Sequence, residues 1–236
     1  MSYSYNTNTP QSNMEEVSEK LNRSFSRRIG KHLSKLQQNL LDVNLPLYKV
    51  ESNDPLSYAK NSEKIFLEIG FGMGEHLINQ SKLNPKNHYL GCEPYMNGVA
   101  NLLKLAEAGS IKNFSLWPDD VDIILSNIPD NSLDGVYILF PDPWPKNRQQ
   151  KRRLANPIRM RIIRDKLKPE RVIYFASDIY DYVDQLKKFM MPEFGFEYIT
   201  KDELEPHPGY IQTKYHSKAS VNAIKPRFVQ FRKIVS

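Results

Sequence analysis

The sequence predicts one doubly wound α/β domain built on a mostly parallel seven-stranded sheet, and three observations carry that prediction. Short β-branched or aromatic runs alternate with segments of helical length from about residue 64 to residue 190. Alternation of this kind requires crossover connections, and crossovers produce a parallel sheet. At 236 residues the chain has room for one full core, and not for two independent enzymatic domains.

The elements follow in order. Residues 1–20 are rich in Ser, Asn, Thr and Gln with little to bury, so they read as a disordered polar tail. Residues 21–60 read as a basic extension: a short basic helix, then an irregular segment around "NLPLYKVESNDPLS". The α/β domain occupies 61–236. Its first five strands are "KIFLEIG" (64–70), "HYLGCE" (88–93), "NFSLW" (113–117), "GVYILFP" (135–141) and "RVIYFAS" (171–177). Helices are expected near 75–83, 95–108, 119–127, 154–167 and 179–190. "FEYIT" and the terminal "PRFVQFRKIV" supply two further strands after the fifth βα unit.

Composition excludes several classes of function. No run approaches the roughly 18 to 20 apolar residues of a membrane span, and the N-terminus lacks the order of a secretory signal, so a cytoplasmic protein is expected. The single cysteine, Cys92, excludes an internal disulfide and a multi-cysteine zinc site. His207 and His216 stand nine residues apart without a carboxylate cluster, so no metal is assigned. Net charge is +6, and ten basic residues between Lys146 and Lys168 face one acid, Asp165. A second patch holds Arg23, Arg27, Arg28, Lys31 and Lys35. Two concentrated patches on a chain otherwise slightly acidic point to a phosphate backbone as partner.

"LEIGFGMGEHL" places Gly70, Gly72 and Gly74 between a strand and a helix. Glycine permits positive φ and close approach of a ligand, and the helix N-terminus offers free N–H groups. The spacing is G-x-G-x-G, not the G-x-G-x-x-G of dinucleotide binders. Glu68 precedes the loop, Glu93 closes the next strand, and Asp119 and Asp120 follow the third. Carboxylates at three consecutive strand ends describe a crevice for an adenosine-containing ligand that need not carry phosphates. S-adenosylmethionine fits this description better than a nicotinamide dinucleotide. Taken alone, Glu93 and Asp119 or Asp120 also read as helix caps.

The fourth strand runs into "FPDPWPKNRQQKRR" (140–153). Asp142 stands between two prolines, so its carboxylate is aimed beside the switch point of the sheet. Trp144 offers a face for a base or for the fold, and Lys146 and the basic helix are expected to take phosphates.

Together, "FLEIGFGMG", "CEPY", "FPDPWPK" followed by "KRR", "RSFSRR" at 23–28 and "TKYH" at 213–216 resemble the bacterial tRNA (guanine-N7)-methyltransferase family over roughly residues 23–233. The resemblance implies a class I, Rossmann-like fold that uses S-adenosylmethionine to methylate N7 of guanine 46 in the tRNA variable loop. It places the cofactor-binding acids on Glu68, Glu93 and Asp119, beside Gly70, Gly72 and Gly74. The catalytic aspartate falls on Asp142, and tRNA contacts fall on Lys146, Asp178, Thr213, Lys214, Tyr215 and His216. The family often carries an acid where this chain has His216, and a histidine cannot accept two guanine N–H bonds. Neither a membrane nor a metal is expected as partner, and monomer and homodimer stay open. Three other functions remain open on the residues alone: adenine N6 methylation, RNA binding without chemistry, and a nicotinamide oxidoreductase. A cysteine-based ring methylation would need Cys92, which reads as core.

Overall fold

The structure is a computed structural model and describes residues 28, 30, 32–190, 194–212 and 225–235. Seven strands form one sheet: β1 Ile65–Ile69, β2 His88–Cys92, β3 Phe114–Trp117, β4 Leu133–Leu139, β5 Leu167–Ser177, β6 Phe196–Tyr198 and β7 Arg227–Lys233. Their spatial order is β3-β2-β1-β4-β5-β7-β6. The first five are parallel, and β7 runs antiparallel to both β5 and β6. The order reverses between β1 and β4, so the loops leaving their carboxyl ends flank the crevice of the doubly wound sheet.

Alternation along each strand explains the two-sided core. Val136 and Ile138 of β4 join one apolar cluster, while Tyr137 and Leu139 join the other. Every residue of β4 is buried, which requires helices on both faces. One face carries α3 Glu75–Leu83 and α4 Met96–Gly109. The other carries α5 Asp122–Leu125, α6 Pro157–Lys166 and α7 Tyr180–Met190.

Among the described residues the predicted strands and helices of the α/β domain stand, with four differences; the polar tail 1–20 and Arg23, Arg27 and Lys31 of the basic extension lie outside those residues. The segment expected to be irregular from residue 44 instead starts helically: α1 Lys35–Asn39, a π-helical turn Leu40–Asn44, and α2 Leu45–Tyr48. Pro46 has no N–H to return to Asp42, and the ladder shifts so that Leu45 N donates to Leu40 O. The helix expected over 119–127 shrinks to the four residues of α5. The basic helix splits into a 3-10 turn, Asn147–Arg152, and α6. Asn156 starts α6 by accepting from Arg159 N at 3.0 Å, with Pro157 at the first position. Strand β5 begins four residues early, at Leu167.

Candidate functional site: a crevice at the carboxyl ends of the sheet

The glycine loop turns sharply because Gly70, Gly72 and Gly74 have φ of +75°, +58° and +80°, a region in which a Cβ is strained. A Cβ on Gly70 would meet nothing within 4 Å, so this side of the loop opens outward. Glu93 holds the loop from β2: its Oε2 accepts from Gly72 N at 2.8 Å and its Oε1 from Tyr95 N at 2.9 Å. Burial pushes Glu93 up to about 7, against the pull of those two N–H donors. Gly98, inside α4, was not singled out by the sequence reasoning. A Cβ there would lie 1.9 Å from Gly72 O, so α4 reaches the loop only because this position is glycine. A lone glycine inside a helical pattern was the available signal.

The remaining acids separate by environment. Glu68 leaves β1 toward α3, and its Oε2 lies 2.8 Å from His76 Nδ1, with both side chains buried. His76 was missed by sequence reasoning, since a histidine on a helix face carries no spacing signal. After β3, Asp120 is 6% exposed and its Oδ1 accepts from Asp122 N at 3.1 Å, at the start of α5. Asp119 stays at the surface and pairs with Arg28 at 3.2 Å. The structure therefore distinguishes the two neighbouring aspartates: Asp120 is buried at the start of α5, and Asp119 is half-exposed, accepting from Asp120 N at 2.8 Å and pairing with Arg28. Arg28 O also accepts from Met96 N at 2.8 Å, which ties this part of the N-terminal extension to the start of α4.

The proline turn leaves β4 beside the glycine loop. Phe140 and Trp144 bracket it at φ of +53° and +41°, uncommon values for residues with side chains. Asp142 is exposed. Phe140 N donates to Ala176 O at 2.8 Å, so the end of β5 is fixed beside the turn and Asp178 follows two residues later. The structure thus brings Asp142 and Asp178 to neighbouring strand ends. The Arg152 guanidinium lies 5.0 Å from the Trp144 ring centroid.

The basic stretch corrects one expectation. Most cations of the predicted basic helix are paired within the fold, while Arg161 is exposed without an acid partner among the described residues. Arg159 forks onto both oxygens of Asp122 at 2.7 and 2.5 Å, Lys166 binds Asp130 at 2.7 Å, and Lys168 binds Asp134 at 2.6 Å. Arg164 pairs with Asp165, and Arg161 stacks on Phe194. Among the described residues, Lys146, Arg148 and Lys151 make no ion pair, and all three are exposed on or beside the 3-10 turn next to Asp142. Three exposed cations thus stand beside the proline turn.

Thr213, Lys214, Tyr215 and His216 lie outside the described residues. The segment that leads to them is anchored. Gly209 O accepts from Asn79 Nδ2 and Gln80 Nε2 of α3, each at 2.9 Å. His207 is buried among the rings of His76, Tyr137, Tyr174 and Tyr210 at centroid distances of 5.0 to 5.5 Å. Burial lowers His207 to about 4, so it is neutral at physiological pH. Cys92 is buried and its thiol is pushed up by burial, which removes it as a nucleophile. No group of three metal-ligating side chains occurs among the described residues, and no helix there is long and apolar enough to cross a membrane.

The crevice suits S-adenosylmethionine by its own chemistry: an outward-facing glycine turn, a buried carboxylate at the end of β2, and a half-exposed, Arg28-paired one after β3.

Comparison with known proteins agrees with this geometry. A family described as "Putative methyltransferase" matches residues 62–225. A bifunctional methyltransferase of Rickettsia conorii is 51% identical over 91% of the chain, and the chain spans 41% of that relative's length. A tRNA (guanine-N7)-methyltransferase of Hyphomonas neptunium is 36% identical over 89% of the chain and 99% of the relative. Among solved structures, the 16S rRNA methyltransferase KamB superposes with a TM-score of 0.57 at 14% identity, covering 76% of this chain and 91% of that one. At that identity the likeness concerns the fold alone. The near-complete alignment with the Hyphomonas enzyme and the family match across the α/β domain carry the assignment: the chain belongs to the bacterial tRNA (guanine-N7)-methyltransferase family.

Proposed function

We propose that the chain is an S-adenosylmethionine-dependent tRNA (guanine-N7)-methyltransferase acting on guanine 46 of the variable loop. One observation carries the reading: the glycine loop with Glu93 and the Asp142 turn with its unpaired cations leave neighbouring strands, β1 and β4, on the same edge of the sheet. Cofactor, base and phosphate subsites are thus adjacent.

When bound, S-adenosylmethionine supplies an electrophilic methyl group on a sulfonium. Glu93 would hold the ribose hydroxyls and Asp119 the adenine, the open turn at Gly70, Gly72 and Gly74 would admit the amino-acid end, and Glu68, paired with His76, would support that turn. Guanine N7 carries an in-plane lone pair, so the enzyme needs no strong base. Its residues orient the base instead, and orientation alone can contribute roughly 7 to 11 kcal/mol. Asp142 and Asp178 accept from the guanine N1–H and exocyclic N–H₂ and offset the positive charge that moves onto the ring. Lys146, Arg148 and Lys151 hold the flanking phosphates, and the segment Thr213–His216 adds contacts to the tRNA.

The test is transfer of labelled methyl to an unmodified tRNA transcript, mapped by borohydride and aniline cleavage, which is selective for N7-methylguanosine. Cleavage at the variable-loop guanine is expected. In the same assay Asp142→Ala lowers turnover by about a hundredfold or more, while cofactor affinity changes little. Label incorporated without cleavage would move the chemistry to another atom, as in adenine methylation.

A further inference from the structure

Arg153 ends the basic run "KRR", where charge counting assigns it to phosphates. Its side chain is 1% exposed, so no polyanion reaches it. Its three donor nitrogens instead serve three acceptors. Nε donates to Pro143 O at 3.0 Å, Nη1 to Gln185 Oε1 at 2.6 Å and Nη2 to Asp181 Oδ2 at 2.8 Å. The guanidinium also lies 4.6 Å from the Tyr182 ring centroid, and Tyr182 OH accepts from Ala155 N at 2.8 Å. One buried side chain therefore ties the acceptor turn to α7.

The turn needs such a tie. Pro141, Pro143 and Pro145 provide no N–H, so only the Asp142 and Trp144 amides remain within the turn to brace it. Its flanking residues, Phe140 and Trp144, sit in the left-handed region, a conformation that costs about 1 kcal/mol or more each and persists only where the surroundings over-determine it. Pro143 directly follows Asp142 and its ring fixes φ, so anchoring the Pro143 carbonyl restrains the Asp142–Pro143 peptide one residue away.

We propose that Arg153 is a positioning residue: clamped by Asp181 and Gln185 of α7, it holds the Asp142 turn in its reactive shape and makes no contact with tRNA phosphates. This rests on the functional reading above, because it takes Asp142 as the residue to be aimed. Arginine is required by the fork. A lysine keeps the charge but offers one nitrogen on a flexible stem and cannot serve three fixed acceptors.

The test compares Arg153→Lys and Asp181→Asn with the full chain. Asp181 is an exposed side chain, so its variant folds even if the arginine variant does not. Three quantities are read: single-turnover methyl transfer per folded molecule, S-adenosylmethionine affinity by calorimetry, and the Trp144 indole resonance in a Trp117→Phe background. Arg153→Lys is expected to slow transfer at least tenfold, and Asp181→Asn about threefold or more, with cofactor affinity within about twofold of the parent. Trp144 shifts or broadens in both. Wild-type transfer rates with an unchanged Trp144 signal in both variants overturn the proposal, as does a parallel loss of cofactor affinity. If the unaltered chain transfers no methyl to guanine N7, the functional reading fails instead, and the Trp144 signal still decides the clamp.

Discussion

At the scale of single residues, Glu93 is a crevice group whose protonation the fold controls. Its carboxyl accepts two backbone N–H bonds, which favour the ionised form, yet burial outweighs them and brings it to about 7. The sign of the consequence follows. An acid raised from 4.5 binds its proton more tightly when folded, so its contribution to stability is fully present below pH 4.5 and is lost as pH rises through about 7. The loss is on the order of 3 kcal/mol. Ribose hydroxyls that donate to Glu93 favour the ionised form, so binding of S-adenosylmethionine should expel a proton near pH 6. Calorimetry in buffers of different ionisation enthalpy measures this directly. The expected outcome is release of nearly one proton, which disappears in Glu93→Gln; equal proton counts in both would remove Glu93 from the ribose contact.

At the scale of elements, the loop–helix approach depends on one missing side chain. Helix α4 docks with Gly98 against the carbonyl of Gly72, and the two atoms that would collide in Gly98→Ala belong to backbone, which cannot step aside as a flexible side chain can. The Gly72 amide is the one that Glu93 holds, so displacement of this loop disturbs the cofactor crevice before it disturbs the sheet. Gly98→Ala should weaken S-adenosylmethionine binding by about tenfold or more and lower stability by about 1–3 kcal/mol. Calorimetry and denaturant unfolding read the two effects separately. Stability loss with intact affinity would show that the loop relaxes away from α4 at no functional cost.

At the scale of the whole molecule, net charge is a poor guide to where a polyanion binds. The +6 of the chain is concentrated between Lys146 and Lys168, but within α6 Arg159, Lys166 and Arg164 pair with Asp122, Asp130 and Asp165, leaving Arg161 on the Phe194 ring. Among the described residues, Lys146, Arg148 and Lys151 stand exposed without an ion pair on or beside the 3-10 turn that follows Asp142. Replacing Lys146, Arg148 and Lys151 together by Ala should reduce the slope of log affinity against log salt for tRNA by about 2, from three lost phosphate contacts at roughly 0.7 each. Replacing Arg161 and Arg164 by Gln should change it by less than about 1. A titration of tRNA binding from low to moderate salt distinguishes the two, and equal reductions would return phosphate binding to α6.

Periodicity and residue type determined much by themselves. Alternating runs and helical segments fixed the doubly wound sheet, because a strand buried on both faces and a helix of one apolar stripe leave few ways to pack. The spacing of Gly70, Gly72 and Gly74, the acid ending β2 and the proline turn after β4 all act locally, through φ, through missing N–H groups and through the strand they terminate. Those were legible in one dimension. Partnership was not. Whether an arginine meets a phosphate or an aspartate depends on which helix lies opposite, so Arg153 and Arg159 read as surface charge until α7 and α5 were seen beside them. The same holds for the pairing of Glu68 with His76, for the division of roles between Asp119 and Asp120, and for the carbonyl that Gly98 must clear. Local chemistry is written along the chain, while burial and partners are properties of neighbours, and neighbours are chosen only when the sheet closes its two faces.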